Sequence, residues 1–480
     1  MNTKSLLLAL SVLLFGCGGV TKIHNPAADA TLLSQAKGNH TTAEAASRDK
    51  AINVAIFFDG TGNSLNSTTN VGRLHQLVLN QNRSDNAVFY TSGVGADRTG
   101  PLGLATGLGF RKDVEVAYGF LSDHYQRRDD VLHLYGYSRG AFSARALAGL
   151  VHTVGLVDLS VFRRPVRRQK FLADLFTAYK FPGKTAKSPR CMVRVNEPQE
   201  AIDLRRCATG EVLEAYGVDV KRDDNNLKFS FDQVRFSMVG LWDTVETLGL
   251  PDGRQEPDEY NHRYSDQICN MDKVFHAVSL HDNRATAYTP ILMTRNRLVR
   301  DCDGSQDLSV RDAYFKRVEE VWFAGDHGQV GGTEDRGHLA GVSLNWMLDS
   351  ASNIGVGGQP LFPEGASVYE QPLDFVKDGQ GQSPLFKLFQ RQMRSIELYI
   401  QPNNDRLLRK GSGQPCSIKI HDSVKQRQDA VKVISAEQRP AYDGDKIRGL
   451  HRNELQAQID AIDSSEGIGA CPTIDIRYVK

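Results

Sequence analysis

A sharp turn between a predicted strand and a predicted helix constrains the fold of this chain more than any other feature. The turn is the G-x-S-x-G sequence at residues 136–140, which follows the apolar run 131–135 and precedes the alanine-rich segment 141–151. In such a turn the serine backbone is strained, and its hydroxyl projects from the end of the sheet. The pattern predicts that Ser138 is a nucleophile, and an inert serine in a tight connection is the alternative.

Predicted strands and helices alternate around this turn. Further strands are predicted at 52–58, 87–90, 234–242 and 318–323, and helices at 112–127 and 337–349, while 274–280 fits either type. Alternation of strands and helices is typical of an α/β fold with a mostly parallel sheet. A chain of 480 residues can hold one large α/β domain with insertions, or two domains.

Two candidate catalytic groups follow later strands. Asp243 comes directly after 234–242, and His327 lies in a glycine loop after 318–323. Catalytic groups collect at the carboxyl ends of strands in open α/β sheets, and an aspartate there could orient the histidine that takes a proton from Ser138. The chain order Ser, Asp, His is that of α/β-hydrolases. Three other histidines compete for the role of base: His276, His281 and His338. Asp243 could instead be a turn residue or helix N-cap.

The first strand also ends in a glycine loop, Asp59-Gly60-Thr61. In α/β-hydrolases this position supplies one of the two backbone amides that bind an oxyanion, and the residue after the nucleophile supplies the other. The sequence therefore predicts oxyanion binding by the amide of Arg139 and by that of Gly60 or Thr61. An Asx-type turn that caps the strand is the alternative.

The N-terminus has the features of an export signal. Residues 1–4 are short and positive, residues 5–16 are apolar and too short to span a bilayer comfortably, and Cys17 and Gly18 follow. This resembles a bacterial lipoprotein signal, with 1–16 removed and Cys17 lipidated. We expect residues 17–50 to form a tether and the chain to be lipid-anchored in the cell envelope, at the outer membrane. A plain secretory signal is the alternative.

Six cysteines remain after Cys17, and an even number in an exported chain indicates disulfides. Pairing each with a neighbour in sequence predicts three bridges: Cys191–Cys207, Cys269–Cys302 and Cys416–Cys471. Buried free thiols are the alternative.

A basic segment stands out in a chain of nearly balanced charge. The formal net charge is +1, which favours no nucleic-acid partner, but residues 163–194 contain ten Lys or Arg and a single acidic residue, Asp174. Apolar pairs are interleaved with these charges. The segment belongs to a predicted insertion at about 160–230, whose second half looks irregular. It could face anionic lipid headgroups, and a solvated helix face is the alternative.

Several uncommon strings occur together in this chain, in a fixed order. They are FFDGTGN (57–63), GYSRGAFSAR (136–145), GLWDTVETLG (240–249), AVSLHDNR (277–284), WFAGDHGQVGG (322–332) and IHDSV (420–424). Over roughly residues 51–345 the chain resembles the α/β-hydrolase-like family of the first class of type VI secretion phospholipase effectors. The resemblance implies serine ester hydrolysis of glycerophospholipids by Ser138, Asp243 and His327. It implies no cofactor and no metal ion.

Two departures from the family accompany this resemblance. The usual family string has Ser-Asp after the histidine, where this chain has Gly328-Gln329. The lipoprotein-like signal is unlike that of an injected effector, and suggests a cell-envelope relative.

The expected organisation is an α/β-hydrolase-like catalytic domain at 51–350 and a C-terminal extension at 351–480 packed on the core. The expected function is hydrolysis of carboxylic esters, with acyl chains of phospholipids as substrate. Two alternatives stay open: an esterase for another acyl substrate, and a non-catalytic envelope lipoprotein with a hydrolase fold. The sequence does not identify a protein partner.

Overall fold

The computed structural model describes residues 49–60, 69–92, 108–191, 198–245, 269–284, 290, 316–333, 338–374, 376, 394, 416–433 and 474–480. Residues 1–48, which contain the predicted signal, Cys17 and all but the last two residues of the predicted tether, lie outside this described part, as does Thr61. The described strands form one sheet in the order β2-β1-β3-β4-β5-β6-β7-β8. Their bounds are β1 Asn53–Phe58, β2 Asn86–Thr91, β3 Val131–Tyr137, β4 Met238–Trp242, β5 Val274–Ser279, β6 Val318–Phe323, β7 Cys416–His421 and β8 Ile474–Val479.

All neighbouring pairs among these described strands are parallel. β1 and β4 are buried along their whole length. Continuous apolar runs of this kind belong to parallel sheets, because helices cover both faces. The predicted fold class, a mostly parallel sheet flanked by helices, is confirmed.

Helices pack on both faces of the sheet. The described helices are α1 Asn70–Asn80, α2 Leu108–His124, α3 Arg139–Val154, α4 Pro165–Lys180, α5 Pro182–Thr185, α6 Pro198–Tyr216, α7 His327–Gly331, α8 His338–Ala351 and α9 Asp422–Val433. α2, α3 and α4 share one hydrophobic core with the sheet. α1 and α8 contribute to a second core on the other face. Within the described residues, no helix combines the length and the apolar character needed to cross a membrane.

The chain changes direction across the sheet at β1. This strand pairs with β2 on one side and with β3 on the other, so the connections after β1 and after β3 leave toward opposite faces. A crevice forms at such a switch point, outside the carboxyl ends of the two strands. Asp59 follows β1 at this crevice, and Ser138 follows β3.

The insertion is more regular than the sequence suggests. The prediction of irregular structure in its second half is wrong, because α6 occupies much of it and packs against α4. Phe171 of α4 and Tyr216 of α6 lie 5.3 Å apart between ring centroids. The predicted bridge between Cys191 and Cys207 is confirmed, with a Cα–Cα distance of 5.5 Å.

The other two predicted bridges involve Cys302 and Cys471, which lie outside the described residues. Cys269 is itself disulfide-bonded.

The C-terminal extension contributes to the sheet. β7 pairs with β6 at Trp322 and Ile420, and β8 pairs with β7 along its length. Ile418 and Ile420 are buried against β6 in a third apolar cluster. The extension is therefore built onto the edge of the central sheet.

Candidate active site

The backbone at Ser138 is strained in the way the turn sequence predicts. Its φ of 57° and ψ of −124° lie in a region that L-residues avoid. Glycines on either side make this possible, because strand and helix touch there. A Cβ on Gly136 would lie 2.5 Å from the Cα of Ala141, and one on Gly140 would lie 2.3 Å from the carbonyl oxygen of Phe58.

Three side chains form one hydrogen-bonded series at this turn. Asp243 accepts the Nδ1–H of His327 on Oδ2 at 2.5 Å. With that hydrogen on Nδ1, the Nε2 of His327 accepts the hydroxyl of Ser138 at 2.8 Å. All three residues are buried. The structure therefore brings together the serine, aspartate and histidine that the sequence singled out.

Each member of the series follows a different strand. Ser138 directly follows β3, and its amide donates to the carbonyl oxygen of Trp242 at 2.8 Å. Asp243 directly follows β4 and has a positive φ of 40°. His327 is the first residue of α7, which begins four residues after β6 ends. Since parallel strands present their carboxyl ends at one edge, residues far apart in sequence meet there.

Asp243 is held by more partners than the sequence indicated. The amide of Ser279 donates to Oδ1 at 2.9 Å, and Arg394 donates from Nη1 to Oδ1 at 2.6 Å and from Nη2 to Oδ2 at 2.9 Å. Burial alone would raise the pKa of this carboxyl, but the charge of Arg394 and the contacts with His327 lower it well below its usual range. Asp243 is therefore ionised in the folded protein.

A second buried ion pair supports the backbone of His327. Asp282 accepts the amide of His327 at 3.0 Å and forms a two-bond pair with Arg284, at 3.1 and 2.6 Å. Burial opposes ionisation of Asp282, yet the charge of Arg284 lowers its pKa. The AVSLHDNR string, which carried no assigned role in the sequence, thus fixes the position of the histidine.

Helix α7 begins with a reciprocal cap. Asp326 accepts the amide of Gln329 at 2.8 Å, and the side chain of Gln329 accepts the amide of Asp326 at 3.2 Å. This is a capping box, which satisfies amides that a helix start leaves open. Burial raises the pKa of Asp326, and the nearby Arg284 opposes that rise.

The competing histidines have other partners. His276 contacts Glu320 at 2.8 Å and accepts the amide of Thr244 at 3.1 Å, next to Asp243. His281 accepts the amide of Gly325 at 3.0 Å. His338 lies 2.9 Å from a carboxylate oxygen of Asp374. His276 and His281 thus accept backbone amides, and His338 pairs with a carboxylate. Of the four histidines, His327 is the one that is hydrogen-bonded to Ser138.

The predicted oxyanion loop has a buried carboxyl at its base. Asp59 accepts the hydroxyls of Tyr90 at 2.6 Å and Thr69 at 2.7 Å. It also accepts the amide of Gly60 at 2.7 Å, so this amide is engaged by the side chain before it. Burial raises the pKa of Asp59 to about 6, against the lowering effect of these hydrogen bonds. Arg139 begins α3 beside Ser138.

Acidic and histidine side chains lie close together in this region. Among the described residues, no group of three or more His, Cys, Asp or Glu is arranged to hold a metal ion.

Comparison with known proteins identifies the family. Residues 53–350 match the family described as "T6SS, Phospholipase effector Tle1-like, catalytic domain". The match covers more than half of the chain and includes Ser138, Asp243 and His327. The chain belongs to this Tle1-like family. The resemblance found in the sequence is confirmed, and the family is one of phospholipase effectors.

Individual relatives are more distant. The uncharacterized protein YEL023C of Saccharomyces cerevisiae is 28% identical over an alignment of 129 residues, and the match covers 22% of this chain and 18% of the yeast protein. This chain thus matches less than a fifth of that relative.

Two solved structures resemble parts of the chain. An uncharacterized protein from Pseudomonas aeruginosa has 15% identity and a TM-score of 0.32, over 87% of this chain and 68% of that one. The Tle1 effector bound to the VgrG spike of the type VI secretion system has 18% identity and a TM-score of 0.27, over 60% and 52%. Superpositions this loose do not bear on function.

Proposed function

We propose that the chain is a serine hydrolase of carboxylic esters, with the acyl chains of glycerophospholipids as its substrate class. The observation that carries this proposal is the series from Ser138 through His327 to Asp243, at the switch point of a parallel sheet. Membership of a phospholipase effector family supports the substrate class. The series alone supports ester hydrolysis of any acyl substrate.

In the proposed reaction Ser138 attacks the ester carbonyl while His327 takes its proton on Nε2. Asp243 holds the tautomer in which Nε2 is free of hydrogen, and stabilises the charged ring that forms. His327 then gives the proton to the leaving alcohol. Water releases the acyl group from Ser138 by the same steps in reverse.

The oxyanion of the intermediate needs backbone donors near Ser138. The amide of Arg139, at the start of α3, is one proposed donor, and Gly60 or Thr61 supplies the second. Because the amide of Gly60 donates to Asp59 in the free protein, its use would require this contact to open. Thr61 lies outside the described residues.

The test pairs two serines of the same turn and helix. Purified wild-type protein, Ser138→Ala and Ser143→Ala are incubated with phospholipid vesicles, with short acyl esters and with a fluorophosphonate that labels active serines. Ser143 donates to the carbonyl oxygen of Arg139 and lies outside the series, so its loss should leave turnover nearly unchanged. Ser138→Ala should lower ester hydrolysis by about three orders of magnitude or more and abolish labelling.

The outcomes separate the alternatives. Fatty-acid release from vesicles identifies a phospholipase, whereas turnover of short esters alone identifies an esterase for another acyl group. Near-normal turnover by folded Ser138→Ala would remove the serine-hydrolase assignment. An unlabelled, inactive wild type would favour the non-catalytic lipoprotein.

We also propose that lipid on Cys17 anchors the chain at the outer membrane, as its signal-like N-terminus suggests. The basic insertion is an additional candidate contact. Val166 is 80% exposed beside arginines at the start of α4. That end of α4 contacts the last turn of α2 through Arg168 and Asp123, near the amino ends of the strands. A membrane bound there would lie at the end of the sheet opposite Ser138.

A further inference from the structure

One arginine of the C-terminal extension lies inside the candidate active site. Arg394 stands beyond residue 350, where the match to the family's catalytic domain ends. Its side chain is fully buried. Arginine is almost never buried in this way unless it is paired, so its partner indicates its role.

That partner is the aspartate of the proposed catalytic series. Both terminal nitrogens of Arg394 donate to Asp243, one to each carboxylate oxygen, at 2.6 and 2.9 Å. Nη1 also donates to the carbonyl oxygen of Ser279 at 2.7 Å, which fixes the guanidinium relative to β5. Two parallel charge-assisted bonds form the most directional contact that a carboxylate makes with a side chain.

We propose that Arg394 is a positioning residue for Asp243, and that the C-terminal extension thereby completes the active site. This inference rests on the proposed function, since it concerns Asp243 as the partner of His327. The two hydrogen bonds from the guanidinium fork of Arg394 and the one from the amide of Ser279 hold the carboxylate of Asp243 in a single orientation. In that orientation Oδ2 faces the Nδ1–H of His327, and Nε2 remains turned to Ser138.

The charge of Arg394 has a second consequence. A carboxylate stabilises the protonated imidazole, and a cation on the far side of the carboxylate weakens that effect. Three other charged groups lie around Asp243 and His327: Asp282 and Arg284 after β5, and Asp326 before α7. Farther away, His276 contacts Glu320 and accepts the amide of Thr244. Without Arg394, the guanidinium of Arg284 would be the single cation beside the carboxyl groups of Asp243, Asp282 and Asp326 among these described residues. His327 would then keep its proton to higher pH.

The experiment compares two arginines of the same extension in the full chain. Arg394→Met removes the fork and the charge with little change in length. Arg427→Met is the matched control, because Arg427 of α9 donates to the carbonyl oxygens of Pro372 and Asp374. Two midpoints are measured: the acid limb of kcat/KM with a short acyl ester, and the titration of the His327 ring by NMR in histidine-labelled protein.

In Arg394→Met both midpoints should rise by on the order of one pH unit, and kcat should fall about tenfold or more. Neither midpoint should move in Arg427→Met. A folded Arg394→Met with wild-type midpoints, or an equal shift in Arg427→Met, would overturn the proposal. The NMR titration needs no turnover, so it tests Arg394 even where the wild type hydrolyses no ester.

Arg394→Lys covers the case in which the methionine variant does not fold. Lysine keeps the positive charge but cannot donate two parallel bonds to one carboxylate. Its midpoints should stay near those of the wild type while kcat falls. Wild-type kcat in Arg394→Lys would show that the fork does not position Asp243, and would overturn the proposal.

Discussion

Replacing Gly140 by alanine tests whether close contact between α3 and β1 maintains the strained turn. An added Cβ would lie 2.3 Å from the carbonyl oxygen of Phe58 and 2.4 Å from that of Asp59, where ordinary contacts begin at 3.4 Å. Both obstacles are backbone atoms, so no side chain can rotate away. The start of α3 would have to move by about 1 Å relative to β1.

Two opposing terms set the expected change in stability. Alanine is favoured over glycine inside a helix by up to about 1 kcal/mol. Overpacking against fixed backbone costs about 1–3 kcal/mol or more, so the free energy of unfolding should fall overall. A displacement of about 1 Å at a reacting group can lower turnover by about 100-fold. Reactivity should therefore fall further than the loss of stability suggests.

Gly210→Ala provides the same substitution in an uncrowded helix. A Cβ on Gly210 in α6 would meet nothing within 4 Å. This variant should gain up to about 1 kcal/mol of unfolding free energy and react normally. Urea unfolding and the rate of fluorophosphonate labelling measure the two effects. The reasoning is refuted by a Gly140→Ala protein as stable and reactive as wild type.

Three further predictions concern other parts of the chain. Burial raises the pKa of Asp59 from 3.8 to about 6, so the stability that this group contributes is fully present below about pH 4 and is lost as the pH rises through about 6. The free energy of unfolding of Asp59→Asn should therefore rise by about 3 kcal/mol relative to that of the wild type between pH 4 and pH 7, measured by urea unfolding. A difference between the two proteins that does not change with pH would contradict this prediction. Replacing Cys191 and Cys207 by alanine should cost about 3 kcal/mol of unfolding free energy, because the bridge spans 16 residues. Cys17→Ser should move the protein from the membrane fraction to the soluble fraction, and unchanged membrane association would assign the attachment to another part of the chain.

The positions of Ser138, Asp243 and His327 could be predicted because each lies within four residues of the end of a strand. A buried parallel strand is a continuous apolar run, so its end is visible locally in the sequence. The parallel arrangement then places such ends at one edge of the sheet, without any further information. The prediction does not depend on how far apart the three residues are in sequence. It therefore holds although the insertion at about 160–230 separates Ser138 from Asp243.

Helix α6 was missed for a physical reason. Its sequence, PQEAIDLRRCATGEVLEAY, shows no clean apolar stripe. It is held instead by α4 and by the bridge between Cys191 and Cys207. Tertiary contacts and a covalent link decide its conformation, and neither is visible in the local pattern.

Arg394 could not be inferred from any local signal. It lies 151 residues after Asp243, in a C-terminal extension that shows no catalytic pattern of its own. Its role follows from the cost of burying the charge of Asp243, which requires a cation from somewhere in the fold. That requirement holds for the whole structure and does not specify which arginine meets it.

The departure at Gly328-Gln329 can be understood from the same charges. An aspartate at position 329, as in the usual family string, would add a carboxylate beside Asp326. The region already holds three buried carboxylates, faced by the guanidiniums of Arg284 and Arg394. Gln329 completes the capping box with Asp326 through a neutral amide, so α7 is capped without a further buried charge. His327, the first residue of that helix, therefore keeps its position although the residues after it differ from the family pattern.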